Sequence, residues 1–547
     1  MSPRSSCNPA TRVVIVVALI ALSAVAVMLR VSGLNWLIGL GPWPNFSFHP
    51  DDLRFVLTAM DFENGSSDGY VTGMATHLFL LKQVMMTLGF EFDLSTLLRA
   101  VTLAYAAVTI PVTYLLARAV GSDWKVALVA AAFVAVTPLH AVSSHFGTAD
   151  VTVIVWFYAS LLLGGAYLRT GNQWIFIAFA AACGVTVGIK FFVPIAVPLV
   201  VVALLDPRRD WRQLVPLGLL AGYAGFAAAT FFNFNPWDLY RLLRVLRNDN
   251  LTQGGGLNPF EQVREYSMEL FTAFGVVLAI VVIIGTAYYL ARYVGAIRRE
   301  VSESGLKCGI VSSLATQRGL IAASLITHAA LILYAEVHGP RHTLVFVPIA
   351  CVFAAGILFR AVEMARLPRP AAALLVVGVI AYQVPQVWAL DKLYTADPRA
   401  LMSEWVNTMR NSGQEVYTTS WYTWFRNAKL EDGGYDLVAR EAQNYVTCDL
   451  EFGRYFETDD ATDVVHGGEK EMQFFRQLFS GRLPFRIERE FVVPPLGMEQ
   501  RLIQSKRLRS VGTYIPQQCY AFVRVPEGIA VDPNAFPAPS MLASGSW

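Results

Sequence analysis

Apolar stretches of about twenty residues recur along the first 389 residues of the chain and are absent beyond them. A helix of about 20 apolar residues crosses the hydrocarbon core of a bilayer. The pattern predicts eleven spans, near residues 12–32, 96–118, 126–143, 150–168, 173–189, 191–205, 213–232, 268–292, 318–336, 342–360 and 371–389. The first run is too long for a signal-peptide core and lacks a convincing cleavage site, so we interpret it as a retained anchor.

A polar segment follows the last predicted span. Residues 390–547 contain 17 basic and 21 acidic residues, whereas the preceding 389 residues contain 26 and 20. Short apolar clusters alternate there with helical stretches, which predicts a small α/β domain. We therefore divide the chain into a multi-span domain, 1–389, with its first outer loop at 33–95, and a C-terminal soluble α/β domain, 390–547. The predicted fold is a polytopic α-helical membrane protein with about 11 transmembrane helices.

The composition supports a membrane protein and excludes other classes. The 547 residues are 55% hydrophobic and 15% charged, whereas soluble domains carry about 25% charged residues. A net charge of only +2 argues against a nucleic-acid partner, because such modules concentrate Lys and Arg on one face. Membrane lipids are the predicted surroundings of the first domain.

The distribution of basic residues predicts the orientation. With the N-terminus in the cytoplasm, the inner segments hold 16 Lys and Arg residues and the outer segments before residue 390 hold 10. This bias follows the positive-inside rule, and an odd number of spans places the C-terminal domain outside a plasma (inner) membrane. Cys448 and Cys519 fall in that outer domain, where a disulfide is permitted, although two buried thiols fit the sequence equally well.

Two adjacent carboxylates in the first outer loop are the strongest candidates for chemistry. Asp51 and Asp52 follow Pro50, where a helix can begin with acidic residues in its first turn. Asp51 and Arg54 are three residues apart and therefore share a face of that helix. A carboxylate can accept the proton of an attacking hydroxyl, and a guanidinium can bind a phosphate. The alternative is a helix cap with a solvated ion pair.

Several further motifs fall on the outer side of the predicted membrane domain or in the tail. They are Asp51-Asp52-Leu-Arg54-Phe55, Arg99, Thr137-Pro-Leu-His140, Ser143-Ser-His-Phe-Gly-Thr-Ala-Asp150, Gly188-Ile-Lys190, Gly339-Pro-Arg-His342, Asp397-Pro-Arg399 and Glu451-Phe-Gly-Arg-Tyr455. Together they resemble the GT-C superfamily of membrane glycosyltransferases, closest to the branch of protein O-mannosyltransferases and lipid A aminoarabinose transferases. The sequence departs from that pattern in its Asp-Asp pair, in Phe55 and in the stretch before His77, which lacks the expected proline element.

The resemblance implies an inverting transfer of a sugar from a polyprenyl-phosphate carrier to an acceptor hydroxyl. Asp51 would be the base, and Asp52 and Asp150 would orient acceptor or sugar. The residues expected to bind the donor phosphate are Arg54, Arg99, Lys190, Arg341 and His342. His77 and His145 are expected to make other substrate contacts. No cofactor is predicted, since two carboxylates without a third ligand are a weak metal signal, and a shared divalent ion is the alternative.

A separate physical argument agrees with a lipid-linked donor. Nucleotide sugars are cytosolic, whereas the motifs map to the outer face, so the donor must reach that leaflet. Arg54, Arg99, Lys190 and Arg341 lie near membrane depth, where ionisable groups are costly and usually functional. Each alone could extend to the lipid headgroups, but together they favour a phosphate site. The acceptor would be a glycan, a lipid or a protein.

Two other functions fit a chain with many spans. A flippase or exporter of lipid-linked glycans also has charged cavities, but it has no need of a large outer domain or of acidic loops on one face. A non-catalytic receptor would carry its binding charges in the tail, whereas the candidate charges here lie in the membrane domain.

Overall fold

A computed structural model describes most of the chain. The described residues are 8–62, 73–190, 193–205, 211–230, 259–305, 313–334, 340–452, 456, 469–492 and 518–537. Among them, six helical stretches are long and apolar enough to cross a membrane, and four shorter apolar helices accompany them. The predicted helical membrane architecture is confirmed, while the number of spans stays a prediction.

Fifteen helices make up the membrane part of the described chain. They are α1 (Pro9–Met28), α2 (Pro50–Asp61), α3 (Gly73–Thr87), α4 (Leu94–Ala119), α5 (Trp124–Ala135), α6 (Pro138–Ser143), α7 (Ala149–Thr170), α8 (Gln173–Ile189), α9 (Ala196–Leu205), α10 (Trp211–Ala229), α11 (Pro259–Phe274), α12 (Val276–Ser304), α13 (Gln317–Tyr334), α14 (Val347–Met364) and α15 (Arg369–Leu393). Short 3-10 helices occur at Val31–Gly33, Val193–Ile195 and Pro340–Phe346.

Two of the predicted spans are interrupted. The span at 126–143 divides into α5 and α6, because Pro138 supplies no backbone N–H and disfavours helical geometry at the residue before it. The span at 268–292 divides at Gly275, where α11 ends and α12 begins. Both interruptions lie inside continuous apolar sequence, which is why the hydrophobic pattern alone runs through them.

Small residues bring α8 and α10 into close contact. A Cβ atom at Gly184 would collide with the carbonyl oxygen of Gly222 on α10. Close backbone approach through small residues is the usual way in which membrane helices pack. This packing fixes the end of α8, where Lys190 is the capping residue.

The tail forms a small α/β domain, as predicted. Its elements are α16 (Pro398–Asn411), β1 (Val416–Thr418), β2 (Ala428–Leu430), α17 (Tyr435–Glu441), β3 (Asn444–Cys448), α18 (Asp449–Phe452), α19 (Glu469–Phe479), β4 (Phe485–Val492) and β5 (Gln518–Arg524). In the described residues the strand order is β2-β1-β3-β5-β4, with β2, β1 and β3 parallel and the other pairings antiparallel. Cys448 and Cys519 face each other across β3 and β5. They form a disulfide and are not two buried thiols.

The tail packs directly on the first outer loop. The ring of Trp43 meets those of Trp421 and Trp424, with centroids 6.4 and 5.0 Å away. The backbone N–H of Arg426 donates a hydrogen bond to the carbonyl of Leu40 at 3.0 Å. The predicted domain boundary at residue 389 falls inside α15, which continues into the segment that touches this loop.

Candidate functional site

Asp52 is completely buried at the start of α2 and is surrounded by hydrogen-bond donors. Its Oδ2 atom accepts from Arg99 Nε at 3.0 Å and from Ser47 Oγ at 3.3 Å. Its Oδ1 atom accepts from the backbone N–H of Gly147 at 2.7 Å. A buried carboxylate requires such partners because desolvation penalises its charge. The arrangement fixes the first turn of the helix that carries the Asp51-Asp52 pair.

Arg99 on α4 is bonded within the protein at each of its three nitrogens. In addition to Asp52, it donates to the Ser47 hydroxyl at 3.0 Å and to the Trp36 carbonyl at 2.8 Å. Its guanidinium carbon lies 5.2 Å from the centroid of the Trp36 ring. Its side chain is only 1% exposed, so the structure places this cation against Asp52 and not at an accessible surface.

Gly147 lies in the connection between α6 and α7 and passes close to α4. A Cβ atom at this position would collide with the side chain of Leu98. Only glycine therefore permits the approach that points its N–H at Asp52. Asp150, three residues further on, begins the second group of candidate residues.

The second group gathers at the N-terminus of α7. The ammonium of Lys190 donates to Asp150 Oδ1, and Arg341 and His342 lie within electrostatic reach of the same carboxylate. The side chain of Lys190 is 36% exposed, whereas that of Asp150 is 8% exposed. His328 contributes a hydrogen bond from its ring to the His342 carbonyl at 2.8 Å. The group thus places the Lys190 ammonium, the Arg341 guanidinium and the His342 ring around one carboxylate, and the ammonium is partly accessible.

A backbone anchor holds the 3-10 turn that carries Arg341 and His342. The Tyr158 hydroxyl on α7 donates to the carbonyl of Val345 at 2.7 Å. Asp150 lies in the first turn of α7, and Lys190 caps the C-terminus of α8. Together with the 3-10 helix Pro340–Phe346, three separate parts of the chain therefore meet at this group.

The two remaining histidine candidates lie in different surroundings. His145 bonds Asp391 through Nε2 at 3.0 Å and Ala141 O through Nδ1 at 2.8 Å. His77 bonds the Gly73 carbonyl at 2.6 Å and the Tyr105 hydroxyl at 2.9 Å. Both imidazoles therefore contact protein groups at both nitrogens, His145 between α6 and α15 and His77 between α3 and α4.

The other candidates are placed less completely. Arg54 lies on the exposed side of α2. Asp51 belongs to α2, but the placement of its side chain lies outside what the structure describes. Gly339 and the Gly-Arg-Tyr part of the motif ending at Tyr455 also lie outside the described residues.

Several residues of these networks carry no sequence signal. Trp36 and Ser47 hold Arg99, while Asp391 holds His145. Asp391 is 246 residues from His145 in the sequence, and no local pattern connects such partners. His328 is hydrogen-bonded to the His342 carbonyl and mostly buried, which is typical of a packing residue.

The described residues provide no set of metal ligands. Within the described ranges, no group of three or more His, Cys, Asp or Glu side chains is placed so as to hold a metal ion. Both carboxylate oxygens of Asp52 already accept hydrogen bonds, and Asp150 is paired with Lys190.

One family matches part of the chain. Residues 87–252 match the model of the dolichyl-phosphate-mannose-protein mannosyltransferase family. The matched region contains Arg99, His145, Asp150 and Lys190. A comparison with curated proteins found no match to this sequence.

Solved structures of an oligosaccharyltransferase share the overall fold of this chain. Archaeal oligosaccharyltransferase AglB from Archaeoglobus fulgidus, in complex with an inhibitory peptide and a dolichol-phosphate, superposes with a TM-score of 0.53 at 11% identity, over 87% of this chain and 73% of AglB. The Archaeoglobus fulgidus oligosaccharyltransferase complex with Zn and sulfate gives 0.50 at 14% identity, over 84% and 70%. ArnT from Cupriavidus metallidurans in the apo state gives 0.47 at 14% identity, over 80% and 93%. The shared fold and the partial family match confirm the resemblance indicated by the motifs, and this multi-pass membrane protein has the fold of a GT-C superfamily glycosyltransferase.

Proposed function

We propose that the protein transfers a sugar from a polyprenyl-phosphate carrier to an acceptor hydroxyl, with inversion, at the outer face of the plasma membrane. The observation that carries the proposal is the group of Lys190, Arg341 and His342 around Asp150. The matched family is named for a dolichyl-phosphate sugar donor. AglB, which shares the fold, was captured with a dolichol-phosphate and an inhibitory peptide, which supports a lipid-linked donor and a separate acceptor.

The cationic group suits the leaving phosphate of such a donor. When the bond between the anomeric carbon and the phosphate oxygen breaks, negative charge develops on the polyprenyl phosphate. Cations placed in advance beside that oxygen stabilise the transition state. Lys190 and Arg341 supply permanent charges, His342 supplies a ring donor, and the partial exposure of Lys190 gives a ligand access. Asp150 orients the ammonium of Lys190 in this scheme.

The bond changes form one displacement. The acceptor oxygen attacks the anomeric carbon, the proton of its hydroxyl passes to the Asp51 carboxylate, and the electron pair of the breaking bond leaves with the polyprenyl phosphate. We assign Asp52 a positioning role, because its carboxylate is fully buried and bonded to Arg99, Ser47 and Gly147. Arg99 shares this role. Arg54 remains a candidate for the donor phosphate from the exposed side of α2, and His77 and His145 support the walls of the site.

The proposed reaction needs no resident metal ion. Asp52 and Asp150 are each engaged by a cation of the protein, and within the described residues no group of three or more His, Cys, Asp or Glu side chains is placed to hold a metal ion. Transfer is therefore expected to persist in the presence of EDTA. Loss of transfer in EDTA and its recovery on adding a divalent cation would overturn this part of the proposal.

The outer-face orientation has two supports. The excess of basic residues on the inner segments favours a cytoplasmic N-terminus, and the disulfide between Cys448 and Cys519 is typical of an oxidising compartment. A periplasmic or extracellular reporter enzyme fused after Val525 is expected to be active only outside. Activity confined to the cytoplasm would overturn the orientation.

The central experiment measures sugar transfer by the purified full-length protein in liposomes. Labelled polyprenyl-phosphate sugars are offered with glycan, lipid and peptide acceptors, and Asp51→Asn is compared with the wild type. Asp61→Asn is the matched control, because Asp61 is the last residue of the same helix. Transfer by the wild type and by Asp61→Asn, with loss in Asp51→Asn, supports the proposal. Movement of the lipid across the bilayer without transfer would favour a flippase.

A further inference from the structure

Two carboxylates at the junction between the last membrane helix and the tail bind distant parts of the membrane domain. Asp391 belongs to the last turn of α15, and Asp397 caps the N-terminus of α16. Both are almost completely buried. The described segment between them is short, yet each carboxylate binds a different part of the chain more than 240 positions away.

Asp397 holds Trp36. The indole Nε1–H of Trp36 donates to Asp397 Oδ2 at 2.9 Å. Arg399 donates to the same carboxylate from Nη2 at 2.7 Å and from Nε at 3.0 Å. The guanidinium carbon of Arg399 lies 5.1 Å from the centroid of the Trp36 ring, and that of Arg99 lies 5.2 Å from it. The indole therefore connects the Asp397–Arg399 pair to Arg99, the cation that binds Asp52.

Asp391 holds His145. It accepts from the Ser32 backbone N–H at 3.1 Å, from the Ser32 hydroxyl at 2.6 Å and from His145 Nε2 at 3.0 Å. The other ring nitrogen of His145 faces the Ala141 carbonyl at 2.8 Å. Both ring nitrogens therefore lie within hydrogen-bond distance of protein oxygen atoms, which fixes the orientation of the imidazole beside the Asp391 carboxylate. Gly147, which donates to Asp52, is two residues further along the chain.

We propose that Asp391 and Asp397 are positioning residues that orient the Asp51-Asp52 pair for catalysis. Asp397 acts through Trp36 and Arg99, and Asp391 acts through His145 and the segment that ends at Gly147. Through these contacts, Asp397 positions Arg99, which donates to Asp52 Oδ2, and Asp391 positions Gly147, which donates to Asp52 Oδ1. This inference rests on the proposed glycosyl transfer, and it makes the start of the C-terminal domain a part of the active centre.

The first test removes one charge at a time. Asn caps helices about as well as Asp, so Asp397→Asn keeps the cap of α16. It removes the charge and replaces the Oδ2 atom that accepts from Trp36 and Arg399 with an amide donor. Asp391→Asn likewise keeps the size of the side chain. Misplacement of a reacting group by about 1 Å costs about 10²-fold in rate, so kcat is expected to fall about that much while KM for the donor stays unchanged. Asp123→Asn, at the exposed cap of α5, is the control and is expected to keep the wild-type kcat.

The second test compares two replacements of the Trp36 side chain. Trp36→Phe keeps an aromatic ring beside both guanidiniums and loses the hydrogen bond to Asp397, whereas Trp36→Leu loses both. We expect kcat to fall less in Trp36→Phe than in Trp36→Leu, and Trp388→Phe, whose exposed ring contacts Lys392, serves as the control. A wild-type kcat in Trp36→Leu would overturn the role of the indole. If Asp397→Asn fails to fold, this series still tests the connection.

The third test needs no activity. Hydrogen–deuterium exchange followed by mass spectrometry reports on peptides covering residues 47–53 and 144–150. Exchange in the first peptide is expected to rise in Asp397→Asn, and exchange in the second is expected to rise in Asp391→Asn, while both stay at the wild-type level in Asp123→Asn. Unchanged exchange in both peptides would overturn the inference even if sugar transfer is established. A wild type that shows this coupling but transfers no sugar would instead refute the proposed function and keep the structural connection.

Discussion

The buried ion pair between Asp52 and Arg99 gives the sharpest prediction about stability. Their side chains are 0% and 1% exposed, and the Oδ2 and Nε atoms are 3.0 Å apart. Two unit charges at this separation attract by about 5–6 kcal/mol at an effective dielectric constant of about 20. Removing one partner of a buried pair costs about 3–5 kcal/mol, because the other charge stays buried without its counter-ion. We therefore expect Arg99→Gln to lower the free energy of unfolding by about 3–5 kcal/mol.

A double-mutant cycle separates the pair from the other contacts of each residue. Asp52→Asn leaves the Arg99 charge buried without its counter-ion. This variant is expected to lower the free energy of unfolding about as much as Arg99→Gln does. The double variant contains no buried charge at this position, so its loss is expected to be smaller than the sum of the single losses by about 2–3 kcal/mol. The measurement is reversible denaturant unfolding of the purified protein in detergent micelles, followed by Trp fluorescence.

An exposed pair on the same protein provides the control. Arg360 and Glu363 are 3.4 Å apart, with side chains 52% and 67% exposed. Exposed pairs contribute about 0–1 kcal/mol, so Arg360→Gln is expected to change the free energy of unfolding by less than about 1 kcal/mol. Equal losses in Arg99→Gln and Arg360→Gln, or strict additivity in the cycle, would refute the assignment of Asp52 and Arg99 as a buried, mutually dependent pair.

Three further predictions concern the backbone, the donor site and the disulfide. Gly147→Ala is expected to lower the free energy of unfolding by about 1–3 kcal/mol through overpacking and to lower sugar transfer. Gly378→Ala, which has open space around its Cβ, is the control and is expected to be tolerated. Equal unfolding curves for the two variants would contradict this prediction. Lys190→Gln is expected to reduce transfer about 10²-fold or more, measured as kcat with saturating acceptor, and a wild-type rate would remove Lys190 from the donor site. Replacing both Cys448 and Cys519 by Ser removes a crosslink that spans 71 residues. It is expected to lower the free energy of unfolding by about 4 kcal/mol. An unchanged denaturant midpoint would contradict this prediction.

Most helix positions follow from local sequence because the apolar pattern is itself local. The span predicted at 173–189 coincides with α8, and the one at 96–118 lies within α4. The interruption at Gly275 is not visible in the pattern, since the residues on both sides are apolar and the glycine alone does not reveal that one helix ends there and another begins. The α/β character of the tail is similarly predictable, whereas the order of its strands depends on contacts between distant segments.

The residue types of the site are predictable, but their pairing is not. The sequence identifies Asp52 and Arg99 as candidates and assigns them separate roles, one at the acceptor and one at the donor phosphate. The structure places their side chains in contact across 47 positions of sequence, and Ser47 and Gly147 donate to the same carboxylate from two other segments. Such pairings follow from the packing of α2 on α4, which no periodicity in either helix expresses.

Exposure decides which of the outer cations can meet a donor. Four of them, Arg54, Arg99, Lys190 and Arg341, are equivalent in the sequence as basic residues on the outer side. Arg99 is 1% exposed and bonded at every nitrogen, so a phosphate could reach it only by displacing Asp52. Lys190 is 36% exposed and bound to a carboxylate at the start of α7, where a ligand can approach its ammonium without unpacking the core. A positive charge therefore stabilises the start of α2 at Arg99 and is accessible to a ligand at Lys190, and for this reason we propose the phosphate site at Lys190.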